Sequence, residues 1–234
     1  METPMSKHTR WSRLCFSILD PLFSILASIL LLLLVAGCNY MGAFGAKILP
    51  PPPIPAAYVP TTEPMVVIAE NYRNPSGSAM DGEQVARYVH DDLLTHHVAE
   101  MIDPIKVIDL KSKQPTDFRS LSISQIGKLV GAKQVLYINV VECTLVGAMG
   151  TDAVKGQCSA RVKIVDVETG FARWPIDEAA GYLINVKTAY STTLNASDEA
   201  ALRLTLQQQA AGEISRLFYA APAEDFASSG NVTH

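Results

Sequence analysis

The sequence predicts an α/β (α+β) fold in which helices pack on a mixed β-sheet. Its first half alternates short apolar runs with patterns typical of amphipathic helices, and strands separated by helices tend to pair in parallel. Its second half, from Gln134 to Tyr190, is an almost unbroken series of segments rich in β-branched and aromatic residues. A last helical pattern follows. The predicted order is therefore β-α-β-α-β-β-β-α, with helices covering one or both faces of the sheet.

The elements of the first half are defined by their end signals. Met65–Tyr72 is an apolar run typical of a buried strand, and Asn74–Gly77 breaks it as a turn. Ser78, with an aspartate three residues later, is expected to cap a helix. The elements that follow are a helix to about Met101, a strand at Ile105–Leu110, a polar loop at Lys111–Arg119 and a short helix from Ser120 or Ser122 to Gly131.

Three strands and a last helix make up the second half. The strands are predicted at Gln134–Leu145, Gln157–Val167 and Gly181–Tyr190. Glu168–Gly170 has the composition of a tight turn, and Phe171–Trp174 would continue a hairpin after it. Asn195 or Ser197 is expected to begin a helix that ends near Tyr219, because acidic residues fall in its first turn.

The N-terminus has the organisation of a secretory signal. Three basic residues precede a mostly apolar run from Leu22 to Ala36, and small residues close the segment. The run has 15 residues, whereas a membrane-spanning helix needs roughly 20. Residues 1–37 are therefore predicted to be a signal peptide that the mature protein lacks.

The end of this segment, Val35-Ala36-Gly37-Cys38, resembles the lipobox of bacterial lipoproteins. The resemblance implies cleavage between Gly37 and Cys38, with palmitate or similar acyl chains on Cys38 as the first mature residue. Two or more acyl chains hold a protein firmly on a bilayer, whereas one binds it marginally. The alternative is a signal anchor with an incidental cysteine. Asn39 is not the aspartate that marks inner-membrane retention in enteric lipoproteins, so the expected location is the outer membrane, facing the periplasm.

A proline-rich segment separates this cysteine from the folded part. Seven of the fifteen residues from Pro50 to Pro64 are proline, and such segments favour extended polyproline II at about 3.1 Å per residue. Residues 38–64 are therefore interpreted as a tether that can reach roughly 80 Å. A domain is predicted at 65–220 and a flexible tail at 221–234. We expect deletion of Ala46–Pro60 to spare folding and abolish function.

The charge balance limits the partners of the mature chain. The full chain of 234 residues has a formal net charge of −4. Loss of residues 1–37 leaves 197 residues, of which 16 are basic and 21 acidic, with a net charge of −5. This balance disfavours nucleic acid, which selects a basic surface, and electrostatic binding to anionic lipid. The expected partners are the membrane, through the lipid on Cys38, and another envelope protein or a second copy of the chain.

Two further motifs resemble one bacterial group. Residues 126–136 (Ile-Gly-Lys-Leu-Val-Gly-Ala-Lys-Gln-Val-Leu) are similar to a pattern in which a helix ends at Gly-Ala and a strand follows. Residues 165–170 (Val-Asp-Val-Glu-Thr-Gly) are similar to a hairpin of the same group. The group comprises the curli-secretion (CsgG-like) lipoproteins, the N-terminal domain of TolB and the lipoprotein activators of penicillin-binding proteins. The resemblance covers about residues 65–219 and implies the same mixed fold, with no catalytic residues.

The sequence departs from the curli-type pore in its insertions. A pore of that type needs long amphipathic hairpins, and each barrel strand needs roughly 9–11 residues. The candidate insertions, Val146–Gly156 and Pro175–Ala180, are too short to supply such hairpins. The proline-rich tether is instead similar to that of the activators of penicillin-binding proteins.

The domain keeps two cysteines, Cys143 and Cys158, which an exported protein can join in a disulfide. A register that pairs Val140 with Ala160 aligns the apolar faces of the two strands but sets Cys143 opposite Gln157. Pairing the cysteines directly misaligns those faces, and a β-bulge would reconcile the two arrangements. A disulfide and two free thiols therefore both remain open.

One helix carries side chains that can bind metal. They are His90, Asp91, Asp92, His96 and His97. Two histidines and a carboxylate can hold zinc, but these residues do not share one face and lack the HExxH order. A solvated or half-buried helix face is expected instead, with no metal and no cofactor.

The sequence contains no strong enzymatic motif. Gly127-Lys128 lacks the upstream glycine and the following Ser or Thr of a phosphate-binding loop, and no GxSxG motif is present. The first hypothesis is therefore a lipid-anchored interaction module that supports cell-wall or surface-structure assembly. The second is a subunit of an oligomeric transport or secretion assembly. The third is a hydrolase with an unrecognised site.

Overall fold

The computed structural model of the protein describes residues 52–70, 82–192 and 195–223. The strands are β1 (Met65–Glu70), β2 (Met101–Ile102), β3 (Gln134–Gly147), β4 (Ala153–Asp166), β5 (Ala172–Trp174), β6 (Tyr182–Lys187) and β7 (Ser191–Thr192). The helices are α1 (Gly82–Thr95), α2 (Ile105–Lys113), α3 (Pro115–Phe118), α4 (Ile123–Val130) and α5 (Ala196–Ser215). The predicted signal peptide with Gly37 and Cys38, the turn at Asn74–Gly77 and the cap at Ser78 lie outside the described residues.

The strands form one mixed sheet, which confirms the predicted fold class. Its order is β2-β1-β3-β4, and β5, β6 and β7 pair in succession along the free edge of β4. β1 is parallel to both of its neighbours, β2 and β3. The pairs that β4 makes with β3, β5, β6 and β7 are all antiparallel. The parallel part is thus the half in which helices separate the strands.

Helices cover both faces of the central strands, and each face has its own core. α1 and α5 pack on one face, through α1 residues such as Leu93 and α5 residues such as Leu206. α2, α3 and α4 pack on the other face, where Phe118 and Ile126 contact residues of β1 and β3. Because β1 is buried on both faces, its first four residues are all apolar and buried.

The predicted strand at Ile105–Leu110 is wrong, because the segment is helix α2. Asp103 and Pro104 begin this helix: the Asp103 carboxylate accepts a hydrogen bond from the Ile105 N–H at 2.8 Å, and proline suits the first turn of a helix. The preceding helix ends earlier than predicted, at Thr95. The predicted polar loop at Lys111–Arg119 contains the end of α2 and helix α3.

Other helix ends lie where the sequence signals put them. Ser122 caps α4, and its hydroxyl accepts from the N–H of Gln125 while the Gln125 side chain accepts from the N–H of Ser122. Gly131 follows α4 with φ of 85°, a left-handed conformation that glycine adopts readily. Asn195 caps α5 by accepting from two backbone N–H groups of its first turn.

Residues 52–64, assigned above to the tether, run against the folded domain. Ile54 and Ala221 form an antiparallel β-bridge, with N···O distances of 2.8 and 3.1 Å. The Tyr58 N–H donates to the Leu217 carbonyl at 3.0 Å. Residues 52–64 therefore lie with the folded unit, ahead of the predicted domain start at residue 65.

The same contacts change the expectation for the deletion of Ala46–Pro60. The deleted segment contains Ile54 and Tyr58, which hydrogen-bond to the chain beyond α5. The deletion would remove part of the folded unit together with part of the tether. We therefore expect it to destabilise the domain rather than to spare its folding.

Gly127 in α4 should tolerate no side chain. A Cβ atom added there would lie 2.6 Å from the Cγ2 atoms of Val135 and Val167, so the helix or the two valine side chains would have to shift. We expect Gly127→Ala to lower the free energy of unfolding by about 1–3 kcal/mol, although alanine favours helix more than glycine does. Urea unfolding followed by circular dichroism measures the change.

Gly147, at the end of β3, provides the matched control. A Cβ atom added at Gly147 meets nothing within 4 Å, so Gly147→Ala should leave the unfolding midpoint nearly unchanged. An equal loss of stability in both variants would show that close packing of α4 is not the reason for glycine at position 127.

Candidate interaction surface

A long hairpin of β3 and β4 brings the two cysteines of the domain together. The pairing of Val140 with Ala160 follows the register that aligns the apolar faces. A β-bulge between Val140 and Glu142 then shifts the register by one residue, so that Cys143 lies opposite Cys158. The two side chains are buried in the core beneath α5 and are joined in a disulfide. The bulge thus reconciles the two registers that the sequence left open.

Asp166 organises the turn between β4 and β5. Its Oδ1 atom accepts hydrogen bonds from the N–H groups of Glu168 and Thr169, at 3.0 and 2.7 Å, and from the Thr169 hydroxyl at 3.0 Å. Its Oδ2 atom accepts from Nε of Arg173 at 2.8 Å. The bonds from Thr169 and then from Arg173 lower the pKa of Asp166 from 3.8 to about 2, because they favour the charged carboxylate. The predicted tight turn is confirmed, with Gly170 at φ of 76°.

Arg173 extends this network to the incoming chain. Its Nη1 atom donates to Oε2 of Glu63 at 2.7 Å and to the Thr61 hydroxyl at 2.9 Å. The bond from Arg173 is the main reason that the pKa of Glu63 lies below its usual value. The buried Gln134 side chain donates from Nε2 to the carbonyls of Thr61 and Glu63, at 2.7 and 3.0 Å. Residues 61–63 are therefore held between the start of β3 and the end of β5.

The histidines and aspartates of α1 form two separate pairs, His90 with Asp91 and His96 with Asp92. His90 Nδ1 lies 3.0 Å from the Asp91 carboxylate. His96 Nδ1 lies 3.1 Å from the Asp92 carboxylate, and its ring stacks on that of Tyr219 with 3.7 Å between centroids. The Tyr219 hydroxyl donates to Asp92 at 3.1 Å, so this group links the end of α1 to the chain after α5.

The other residues considered for metal or phosphate binding are His97, Gly127 and Lys128. His97 has a left-handed backbone with φ of 52°, just beyond α1. Within the described ranges, no group of three or more His, Cys, Asp or Glu residues is arranged to hold a metal ion. Gly127 and Lys128 lie inside α4 rather than in a loop before a helix, and Gly127 packs against the sheet.

Aromatic rings from distant parts of the chain meet at the β5–β6 edge of the sheet. Tyr58 stacks on Trp174 with 6.0 Å between ring centroids, and Trp174 contacts Tyr182 at 5.2 Å. Trp174 also meets the buried Phe218 edge to face at 5.6 Å. The stack therefore continues the core formed by α1 and α5 outwards to the surface.

Side chains of this cluster, or next to it in sequence, are open to solvent. Tyr182 is 41% exposed, Val59 beside Tyr58 is 75% exposed, and Ile176 two residues after Trp174 is 83% exposed. We call these five residues, Tyr58, Val59, Trp174, Ile176 and Tyr182, the aromatic patch. Sequence reasoning missed the patch because Tyr58 and Val59 lie in the proline-rich segment, which carried no sign of a fixed structure.

Two cavities of the described domain are small. One, of about 30 Å³, lies between β1, α1 and α2. The other, of about 130 Å³, opens on the face of β4 and β6 that the helices leave uncovered, and its lining includes Glu142, Ser159 and Lys187. Both fall short of the roughly 300–1,000 Å³ typical of small-molecule sites. Within the described residues, no helix combines the length and the apolar character that crossing a membrane requires.

The chain is similar to several solved structures, but it matches no family of known proteins. No family model and no curated protein matches the chain. It is similar to lipoprotein GNA1162 of Neisseria meningitidis, at 15% identity over 64% of this chain and 98% of that one, with a TM-score of 0.43. It is also similar to the PelC dodecamer of Paraburkholderia phytofirmans, at 16% identity over 73% of this chain and 94% of that one, with a TM-score of 0.33.

A third similar structure is the C-terminal domain of LpoB from Salmonella enterica. The identity is 14%, the match covers 57% of this chain and 87% of that one, and the TM-score is 0.32. Three similar solved structures, from Neisseria meningitidis, Caulobacter crescentus and Acinetobacter baumannii, are named as lipoproteins. Likenesses at these identities and scores assign neither a family nor a function to the chain.

The low pKa of Asp166 makes stability depend on pH. A carboxyl group with a pKa of about 2 when folded and 3.8 when unfolded stabilises the fold above pH 3.8, and this contribution is lost as the pH falls towards 2. The difference corresponds to roughly 2 kcal/mol. We expect Asp166→Asn to lower the free energy of unfolding near neutral pH by about that amount, and to flatten its decline between pH 3.8 and 2 in urea titrations.

Asp152, an exposed acidic residue of the β3–β4 turn, is the matched control. Asp152→Asn should reproduce the stability of the unaltered protein at each pH. The account of Asp166 is contradicted if both variants show the same pH profile, or if Asp166→Asn keeps the full loss of stability in acid.

Proposed function

We propose that the protein is a lipid-anchored component of a bacterial cell envelope whose folded domain binds another envelope protein, and so supports assembly of the cell wall or of a surface structure. The observation that carries the proposal is Val35-Ala36-Gly37-Cys38 at the end of the apolar run. Cleavage before Cys38 would make this residue the lipid-bearing N-terminus. Asn39 favours the outer membrane, with the domain in the periplasm. The proposal assigns the domain no catalytic step and no cofactor.

The domain also has exposed apolar side chains away from the aromatic patch. Phe171 and Leu129 are exposed, and Gly170, which precedes Phe171, lies close to Ser124 at the start of α4. The β4–β5 turn and α4 therefore belong to the same side of the sheet, away from α1 and α5. Aromatic and large aliphatic side chains left exposed in this way favour contact with a protein partner.

Lipidation of Cys38 is tested by a serine substitution. In a bacterial host fed with labelled palmitate, Cys38→Ser should abolish incorporation of the label and remove the protein from the membrane fraction, because the acylated sulfur is lost. Cys15→Ser is the matched control, since Cys15 lies in the predicted signal but outside the lipobox. Equal labelling of the Cys38→Ser and unaltered proteins would contradict the anchor.

The same strains test the binding role. Crosslinking in intact cells, followed by mass spectrometry, should capture a specific envelope protein with the unaltered chain and with Cys15→Ser, and should lose it with Cys38→Ser. A ladder of self-crosslinks without another partner would favour the alternative, an oligomeric transport or secretion subunit. Capture that does not depend on Cys38 would contradict an anchored binding module.

A further inference from the structure

The aromatic patch has the composition of a surface that rests on lipid. Tryptophan and tyrosine carry a broad apolar ring with one polar group, and such side chains are enriched where a bilayer meets water. Here the rings of Trp174 and Tyr182 lie tilted against each other with 5.2 Å between centroids, and the exposed Val59 and Ile176 follow Tyr58 and Trp174 closely in sequence. Phe218 supports the stack from the core, so the rings are presented on a rigid base.

The chain that leads to the anchor meets the folded unit first at Ile54 and reaches the patch four residues later, at Tyr58. Thirteen residues, 39–51, separate Cys38 from Pro52. Fully extended, they span at most about 45 Å, since each residue contributes roughly 3.3–3.6 Å. The next contacts belong to Ile54 and to Tyr58, which is itself a member of the patch. Tyr58 of the patch is therefore among the contact-making residues of the folded unit that are nearest to Cys38 in sequence.

The charges around the patch favour neutral lipid over anionic lipid. The Glu178 carboxylate, in the loop before β6, is paired with Arg161 at 2.9 Å, and the same Arg161 nitrogen donates to the Gly181 carbonyl at 3.1 Å. Asp177, which follows Ile176, is exposed and acidic. A mature chain with a net negative charge is not attracted electrostatically to an anionic surface. Burial of the apolar side chains would therefore supply the binding free energy.

From these three observations we infer that the aromatic patch docks the domain on the surface of the bilayer that carries its acyl anchor, with the exposed apolar side chains entering the interface of zwitterionic lipid. This inference rests on the proposed lipid anchor at Cys38. It adds an orientation: the patch faces the membrane, and the side with α4 and Phe171 faces away from it.

Trp174 supplies the measurement. The chain has two tryptophans, and Trp11 leaves with the signal peptide, so Trp174 is the sole tryptophan of the mature protein. The lipidated full-length mature chain is reconstituted in phosphatidylcholine vesicles, with or without bromine near the top of the acyl chains. We expect brominated lipid to lower the Trp174 emission by about half, because interfacial side chains lie roughly 5–10 Å into the headgroup and acyl boundary.

Flotation of the same vesicles separates the two proposals. Protein that floats with the vesicles but keeps its full emission in brominated lipid would overturn the docking and leave the anchor standing, and a second copy or a protein partner would then cover the patch. Protein that fails to float would overturn both. Quenching of protein that floats supports the inference.

Matched variants confirm which residues make the contact. Val59→Ser combined with Ile176→Ser removes two exposed apolar side chains and should reduce the quenching at least about twofold while flotation persists, because a patch with less apolar area binds the interface less strongly. Met149→Ser changes a side chain of the β3–β4 turn that is 96% exposed, and it should leave the quenching unchanged. Equal reduction by both sets of substitutions would overturn the assignment of the patch.

Discussion

A buried side-chain amide holds the incoming chain to the centre of the sheet. Gln134 begins β3, and its Nε2 atom donates to the carbonyls of Thr61 and Glu63 while its backbone N–H donates to that of Pro64. β1 begins at the next residue, Met65, and pairs with β3 along its whole length. Leaving such a buried amide unpaired costs about 1–3 kcal/mol. These hydrogen bonds therefore stabilise the sheet and the end of the proline-rich segment together.

The sequence predicts those parts of the fold that local signals determine. Ser122, Gly131 and Asn195 mark helix ends because capping depends on a few adjacent residues. The strands of the second half follow from their β-branched and aromatic composition. The predicted strand at Ile105–Leu110 is wrong because a short apolar run fits a strand and a buried helix equally well. Packing against β1 and β3 decides for the helix.

The candidate surfaces depend on contacts that no local pattern contains. Arg173 bonds to Glu63 across 110 positions of sequence, and Tyr58 stacks on Trp174 although it lies in a segment with the composition of a spacer. The register of Cys143 required a bulge, which the alternation of apolar residues does not reveal. In each case a charged group, an aromatic ring or a sulfur atom contacts a residue that is distant in sequence. Only the tertiary fold brings the two together.

The central claim is that the folded domain begins inside the proline-rich segment. Amide hydrogen exchange of the mature protein tests it most directly, at the N–H groups of Ile54 and Tyr58, which donate to Ala221 and Leu217. The account predicts exchange at least about tenfold slower than in a free peptide of the same sequence, because hydrogen-bonded amides exchange only through opening. Exchange of both amides at the free-peptide rate would contradict it.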